Sequence, residues 1–134
     1  MKEKIMIVDD HEDIREVVHV LLTNEGYQII EAKDGKEALE LLDDEIDLII
    51  LDVMMPEMNG YEAAKAIRAM NDRPDGKNIP IIAMTANAFA EDGHASLDAG
   101  MNAHLSKPIV IDEVIKTILK WIRLVKWRKN YVEQ

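Results

Sequence analysis

Apolar residues run without a break through Ile5-Met6-Ile7-Val8 and again through Leu48-Ile49-Ile50-Leu51. A strand whose consecutive side chains are all apolar is covered on both faces, as in the middle of a parallel sheet. After the first run the period changes: Ile14, Val17, Val18, Leu21 and Leu22 fall at i, i+3, i+4, i+7 and i+8, the inward stripe of an amphipathic helix. Gly26 closes that helix, Gln28 to Ala32 predicts a short strand, and Gly35 precedes a second helix carrying Ala38, Leu39, Leu41 and Leu42. The alternation continues with a strand over Ile46 to Leu51 and a loop from Met54 to Gly60 punctuated by Pro56 and Asn59-Gly60. A helix over Tyr61 to Met70 follows, facing inward through Ala64, Ile67 and Met70, and then a looser connection from Asn71 to Asn78. Pro80 to Met84 predicts a fourth strand, Ala88 to Ala99 an alanine-rich helix, Ala103-His104-Leu105 a fifth strand, and Ile111 onward a last helix. Its core stripe is Val114, Ile115, Ile118, Leu119 and Ile122, while Trp121, Val125 and Arg128 fall on another face.

Strands alternating with helices imply a parallel sheet with right-handed crossovers and helices on both faces, a doubly wound α/β fold. In such folds ligands lie beyond the carboxyl ends of the strands, where the strand order reverses. The first and third strands both end in acid, Asp9-Asp10 and Asp52, so these two strands are expected side by side at that point. Thr85 ends the fourth strand, and Lys107 follows the fifth just before Pro108. Three carboxylates held together repel one another, so either one is protonated or a cation neutralises the group. Magnesium suits a shallow site of this kind, because it takes oxygen ligands and keeps waters that a phosphate can displace; calcium would need a richer cage. A single Asp before a helix is more often an N-cap, and Asp9 or Asp10 alone fits that role for a helix starting near Glu12. The third acid on a neighbouring strand favours the metal.

Composition narrows the chemistry further. A chain of 134 residues with 48% hydrophobic content fits one domain with a real core, and the absence of cysteine excludes disulfides, thiolate zinc sites and thiol catalysis. The net charge of −10 argues against direct nucleic-acid binding, although Lys120, Arg123, Lys126, Arg128 and Lys129 make the last segment basic. Met1-Lys2-Glu3-Lys4 leads into an apolar stretch too short for a signal peptide or a membrane span, which predicts a cytoplasmic protein. His11, His19 and His94 show no metal-ligand spacing and receive no role.

Four segments, Ile-Met-Ile-Val-Asp-Asp at 5–10, Asp-Leu-Ile-Ile-Leu-Asp-Val-Met-Met-Pro-Glu-Met-Asn-Gly at 47–60, Ile-Ile-Ala-Met-Thr-Ala at 81–86 and Leu-Ser-Lys-Pro at 105–108, stand in one order and spacing. In these the chain resembles the receiver domain of two-component response regulators, over residues up to about 122, with 123–134 an extension of the last helix or a tail. The resemblance implies a flavodoxin-like five-stranded sheet of order 2-1-3-4-5 with five helices. It implies that Asp52 is the phosphoacceptor, that Asp9 and Asp10 bind magnesium with Asp52 and the Met54 carbonyl, and that Lys107 steadies the phosphoryl group. It makes Thr85 the switch hydroxyl and puts His104 where the family usually has an aromatic ring that moves with it. The expected partner is a histidine kinase or a histidine phosphotransfer domain. Met84 to Ala88 and Gly100 to His104 look most like receivers of hybrid sensor kinases.

Other readings bear on the same residues. Exposed tryptophans beside basic residues, Trp121 and Trp127 here, mark interfaces, so self-association through the last helix is expected alongside the alternative that they only cap the domain edge. An aspartate-nucleophile phosphohydrolase would want a second acid two residues after Asp52, where Met54 stands. A nucleotide-binding module would want a glycine-rich loop after the first strand, and Asp9-Asp10-His11-Glu12 occupies it. A pseudo-receiver used for contacts alone would have no need of the acids or the lysine.

Overall fold

The computed structural model describes residues 3–43, 45–53, 60–69, 79–85, 100–106 and 110–131, without the side chains of residues 61 and 125–131. Five strands, β1 (Lys4–Val8), β2 (Gln28–Ala32), β3 (Leu48–Asp52), β4 (Ile81–Thr85) and β5 (Ala103–Ser106), form one parallel sheet in the order β2-β1-β3-β4-β5. The described helices are α1 (Glu12–Asn24), α2 (Gly35–Leu41), α3 (Gly60–Arg68) and α4 (Ile111–Tyr131). The helix expected over 88–99 and the connection over 71–78 lie outside the described residues.

The registers place Ile5 to Val8 beside Leu48 to Leu51, and Ile49 to Asp52 beside Ile81 to Met84. Successive side chains alternate faces, and each face has its own core. Met6, Val8, Ile49, Leu51, Ile81 and Ala83 pack on one side with α2 and α3, while Ile5, Ile7, Leu48, Ile50, Ile82 and Met84 pack on the other with α1 and α4. Asp9 continues the ladder past β1 by donating its N–H to Ala32 O at 3.1 Å, and Val53 does the same past β3 to Met84 O at 3.1 Å. At the far edge, Arg68 donates to Gly100 O at 2.8 Å and to Asn102 Oδ1 at 2.9 Å, tying the end of α3 to the start of β5.

The helices bury narrower stripes than their apolar spacing predicts. In α1, Val18 and Leu22 are buried but Val17 is 56% exposed; Leu41 of α2 and Leu119 of α4 are likewise exposed. Trp121, placed by the sequence pattern on another face, packs partly against the core beside Ile118 and Ile122. Truncating a buried anchor such as Leu22 to Ala should cost about 2–5 kcal/mol, read as a lower denaturant midpoint at unchanged slope. Val17→Ala should cost under about 1 kcal/mol by the same measurement, because its side chain already meets water.

Candidate functional site

Because all five strands run the same way, the residues that end β1, β3 and β4 share one rim of the sheet. Asp9 and Asp52 are 0% and 1% exposed there, and Thr85 is fully buried, whereas Asp10 is exposed. Ligand atoms of Asp9, Asp10, Asp52 and His11 all lie within 4.8 Å of one another, the one such grouping among the described residues. The sequence pattern brought the three acids together but gave His11 nothing. Its Nδ1 stands 3.0 Å from Asp9 Oδ1 and 3.1 Å from Asp10 Oδ1.

The helix-capping alternative does not describe this turn. His11 is the N-cap of α1 and makes no side-chain cap bond; its backbone N–H donates to Asp9 Oδ1 at 2.8 Å, so Asp9 shapes the turn before the helix. Two buried carboxylates and a third at the surface form a hard oxygen donor set that a magnesium-sized cation fits and neutralises. Burying these groups without compensation would be costly, and a cation at the rim would supply it.

A second layer of contacts holds the turn from behind. Arg15 Nη1 donates to Asp9 O at 2.7 Å and Arg15 Nε to Glu31 Oε1 at 3.1 Å, while His19 Nδ1 lies 2.7 Å from Glu31 Oε2. Partial burial raises the Glu31 carboxyl, but hydrogen bonds and charge from His19 and Arg15 outweigh it, leaving the group below the ordinary glutamate range. With the folded value depressed, the pair contributes stability above the unfolded value and loses it as pH falls through the folded one. Glu31→Gln should therefore flatten the acid-side fall in Tm across that window, and an unchanged profile would contradict the assignment.

The remaining expected site residues divide between placed and unplaced. Thr85 Oγ1 is buried with no hydrogen-bond partner among the described residues. His104 lies on β5 opposite Ala83 and is exposed. Met54 and Lys107 lie outside the described residues. Gly60, at the start of α3, comes against the backbone of Asp52 and Val53: a Cβ there would strike Asp52 O and sit 2.6 Å from Val53 Cα.

The family model for the response regulator receiver domain matches residues 5–119. The chain is 38% identical over 127 residues to the transcriptional regulatory protein CpxR of Escherichia coli, covering 95% of this chain and 52% of that protein. It is 37% identical over 123 residues to the sensor histidine kinase RcsC of Escherichia coli, covering 91% of this chain and 12% of that protein. The chain thus spans about half the length of the curated transcriptional regulators it matches and a small part of the kinase. Among solved structures, the receiver domain of a sensor histidine kinase from Pseudomonas aeruginosa, with magnesium coordinated in its active site cleft, superposes with a TM-score of 0.81 at 33% identity, covering 91% of this chain and 98% of that one. A response regulator of Thermotoga maritima, TrrA, in complex with magnesium and beryllium fluoride, gives 0.76 at 32% identity, covering 89% and 98%.

Proposed function

The chain belongs to the response regulator receiver domain family, and from that premise we propose that Asp52 is the phosphoacceptor and that the rim around it is the phosphorylation site. The observation that carries this is the buried Asp52 carboxylate at the end of β3, within 4.8 Å of the Asp9 and Asp10 carboxylates. A receiver is a phosphoacceptor module of two-component signalling. In the step assigned here, an Asp52 carboxylate oxygen attacks the phosphorus of a phosphohistidine. The P–N bond breaks with its electron pair going to the imidazole, which takes up a proton, and an acyl phosphate forms on Asp52. Water later cleaves that bond to release inorganic phosphate and regenerate the carboxylate.

Asp9, Asp10 and Asp52 would hold magnesium, with the Met54 carbonyl as a further oxygen. When bound, the ion neutralises charge on the transferring oxygens. Lys107 is assigned the same task from the other side, a compact ammonium able to follow a phosphoryl oxygen. Thr85 is the switch: a buried hydroxyl with no partner among the described residues gains a charge-assisted one when a phosphoryl group arrives. The exposed His104 follows it inward as the β4–β5 rim rearranges. Thr85→Ala should still bind beryllofluoride with magnesium but lose most of the amide shifts along β5; full shifts in the variant would remove Thr85 from the switch.

The missing acid at position 54 makes rapid hydrolysis a poor fit, so self-phosphorylation and self-dephosphorylation are assigned as slow side activities of a switch. The proposed partners are a histidine kinase or a histidine phosphotransfer domain, in the cytoplasm. No described helix is long and apolar enough to cross a membrane. We assign residues 1–122 to the receiver unit and 123–134 to an extension of its last helix or a tail. Leu119 and Leu124 are exposed on α4 beside Lys116, Lys120 and Arg123, the face assigned to self-association. Leu124→Asp should then abolish any rise of solution mass with concentration; a wild-type monomer at every concentration, phosphorylated or not, would refute that assignment.

A further inference from the structure

The peptide of Asp9 is gripped on every side. Its N–H donates to Ala32 O of β2 at 3.1 Å, its carboxylate accepts the His11 N–H at 2.8 Å, and its carbonyl accepts Arg15 Nη1 at 2.7 Å. In the first two the donor is a backbone N–H. The third depends on one residue, Arg15, one turn into α1, and on what aims it. Arg15 Nε donates to Glu31 Oε1 at 3.1 Å, and Glu31 is held in turn by His19 at 2.7 Å. The Arg15 side chain is only 15% exposed and those of Glu31 and His19 are 33% and 39% exposed, so the chain of contacts runs inward from the surface to the acidic turn.

We propose that Arg15, aimed by Glu31, is a positioning residue for the cation site: it fixes the Asp9 carbonyl, and through it the direction in which the Asp9 and Asp10 carboxylates face Asp52. This rests on the magnesium reading above and adds to it the residue that keeps the site formed before the ion arrives. Three carboxylates crowded at one rim push one another apart. A planar guanidinium opposes that by using two different nitrogens on two elements at once, one on the β1–α1 turn and one on β2. A lysine ammonium, with one nitrogen at the end of a flexible stem, cannot span the same pair of acceptors in fixed geometry. Outer contacts that orient metal ligands commonly carry a substantial part of the affinity.

The test is a magnesium titration of the full chain followed by the backbone amide resonances of residues 10 and 11. It is paired with hydrogen exchange of the His11 amide in metal-free protein. Arg15→Ala should weaken magnesium about tenfold and speed exchange at His11, whose N–H bond depends on where Asp9 points. Arg15→Lys should recover only part of the affinity. Glu31→Ala should shift both readouts in the same direction by less, because the arginine remains. Leu22→Ala, a core truncation on the same helix, serves as the destabilised control and should leave magnesium affinity unchanged.

Affinity within twofold of wild type in Arg15→Ala, or an equal loss in Leu22→Ala, overturns the inference. If Asp10→Asn loses the ion while Arg15→Ala keeps it, the cation reading stands and the positioning role falls. Unchanged affinity in Asp10→Asn would overturn both.

Discussion

Asp52→Asn protein incubated with acetyl phosphate and magnesium should gain no phosphoryl mass, whereas wild type gains one phosphoryl group per chain. The substitution keeps the shape of the side chain at the buried end of β3 and removes its charge. An amide oxygen at that place is not a nucleophile of comparable strength, and an activated carboxylate is what the transfer requires. The same change makes a second, opposite prediction for stability. Asp9, Asp10 and Asp52 lie within 4.8 Å of one another, so taking one negative charge away relieves repulsion. In metal-free buffer Asp52→Asn should therefore melt at or above the wild-type temperature. Magnesium should then stabilise wild type more than the variant, since an ion that binds the folded state adds stability in proportion to its affinity. A variant that labels like wild type would move the phosphoacceptor elsewhere, and one that melts well below it without metal would mean that the three carboxylates are not mutually repulsive.

That the site could be approached from sequence at all follows from how a parallel sheet is built. Strands buried on both faces need unbroken apolar runs, so Ile5 to Val8, Leu48 to Leu51 and Ile81 to Met84 announce themselves, and the first polar residue after each is at the rim. Helices are less explicit, because burial depends on how much of the circumference the sheet covers. Val17 and Leu119 satisfy the period yet sit at the margin of the stripe and face water. Trp121 errs the other way: three residues after Ile118 and seven after Val114, it belongs beside them, and helical arithmetic alone would have put it there.

The site's missed members have a different reason. His11 is adjacent to the acidic pair in sequence, but only the tight turn ahead of α1 brings its ring nitrogen between two carboxylates. Arg15 and Glu31 lie on different elements, and neither periodicity nor motif links a helix residue to a strand residue across the sheet. Side-chain pairs between elements become visible once the register of β1 against β2 is known.

Gly60 shows how a correct turn signal can conceal a stronger constraint, and its replacement should cost as much stability as truncating a core side chain. The Asn59-Gly60 pair marks the end of a loop, which by itself would imply a backbone needing positive φ. Yet among the described glycines it is Gly26 and Gly100 that have positive φ, at 98° and 92°. Gly60 starts α3, donates to Val53 O at 3.3 Å, and is glycine because the backbone of Asp52 and Val53 occupies the space of a side chain. The obstructing atoms are main chain of a central strand and cannot swing aside. Gly60→Ala must therefore shift either α3 or the end of β3.

The expected cost of Gly60→Ala is about 3 kcal/mol, at the upper end of ordinary overpacking, or a drop in Tm of roughly 10 °C for a chain of this size. Any movement of β3 carries the Asp52 carboxylate with it, so phosphoryl uptake should fall in the fraction that is still folded. Gly26→Ala is the informative partner: its Cβ would meet nothing within 4 Å, leaving only the strain of a left-handed backbone, about 1–2 kcal/mol. The ordering of these two variants separates close approach from conformational freedom. Should Gly26→Ala prove the more damaging, left-handed strain outweighs the close approach of α3 to β3.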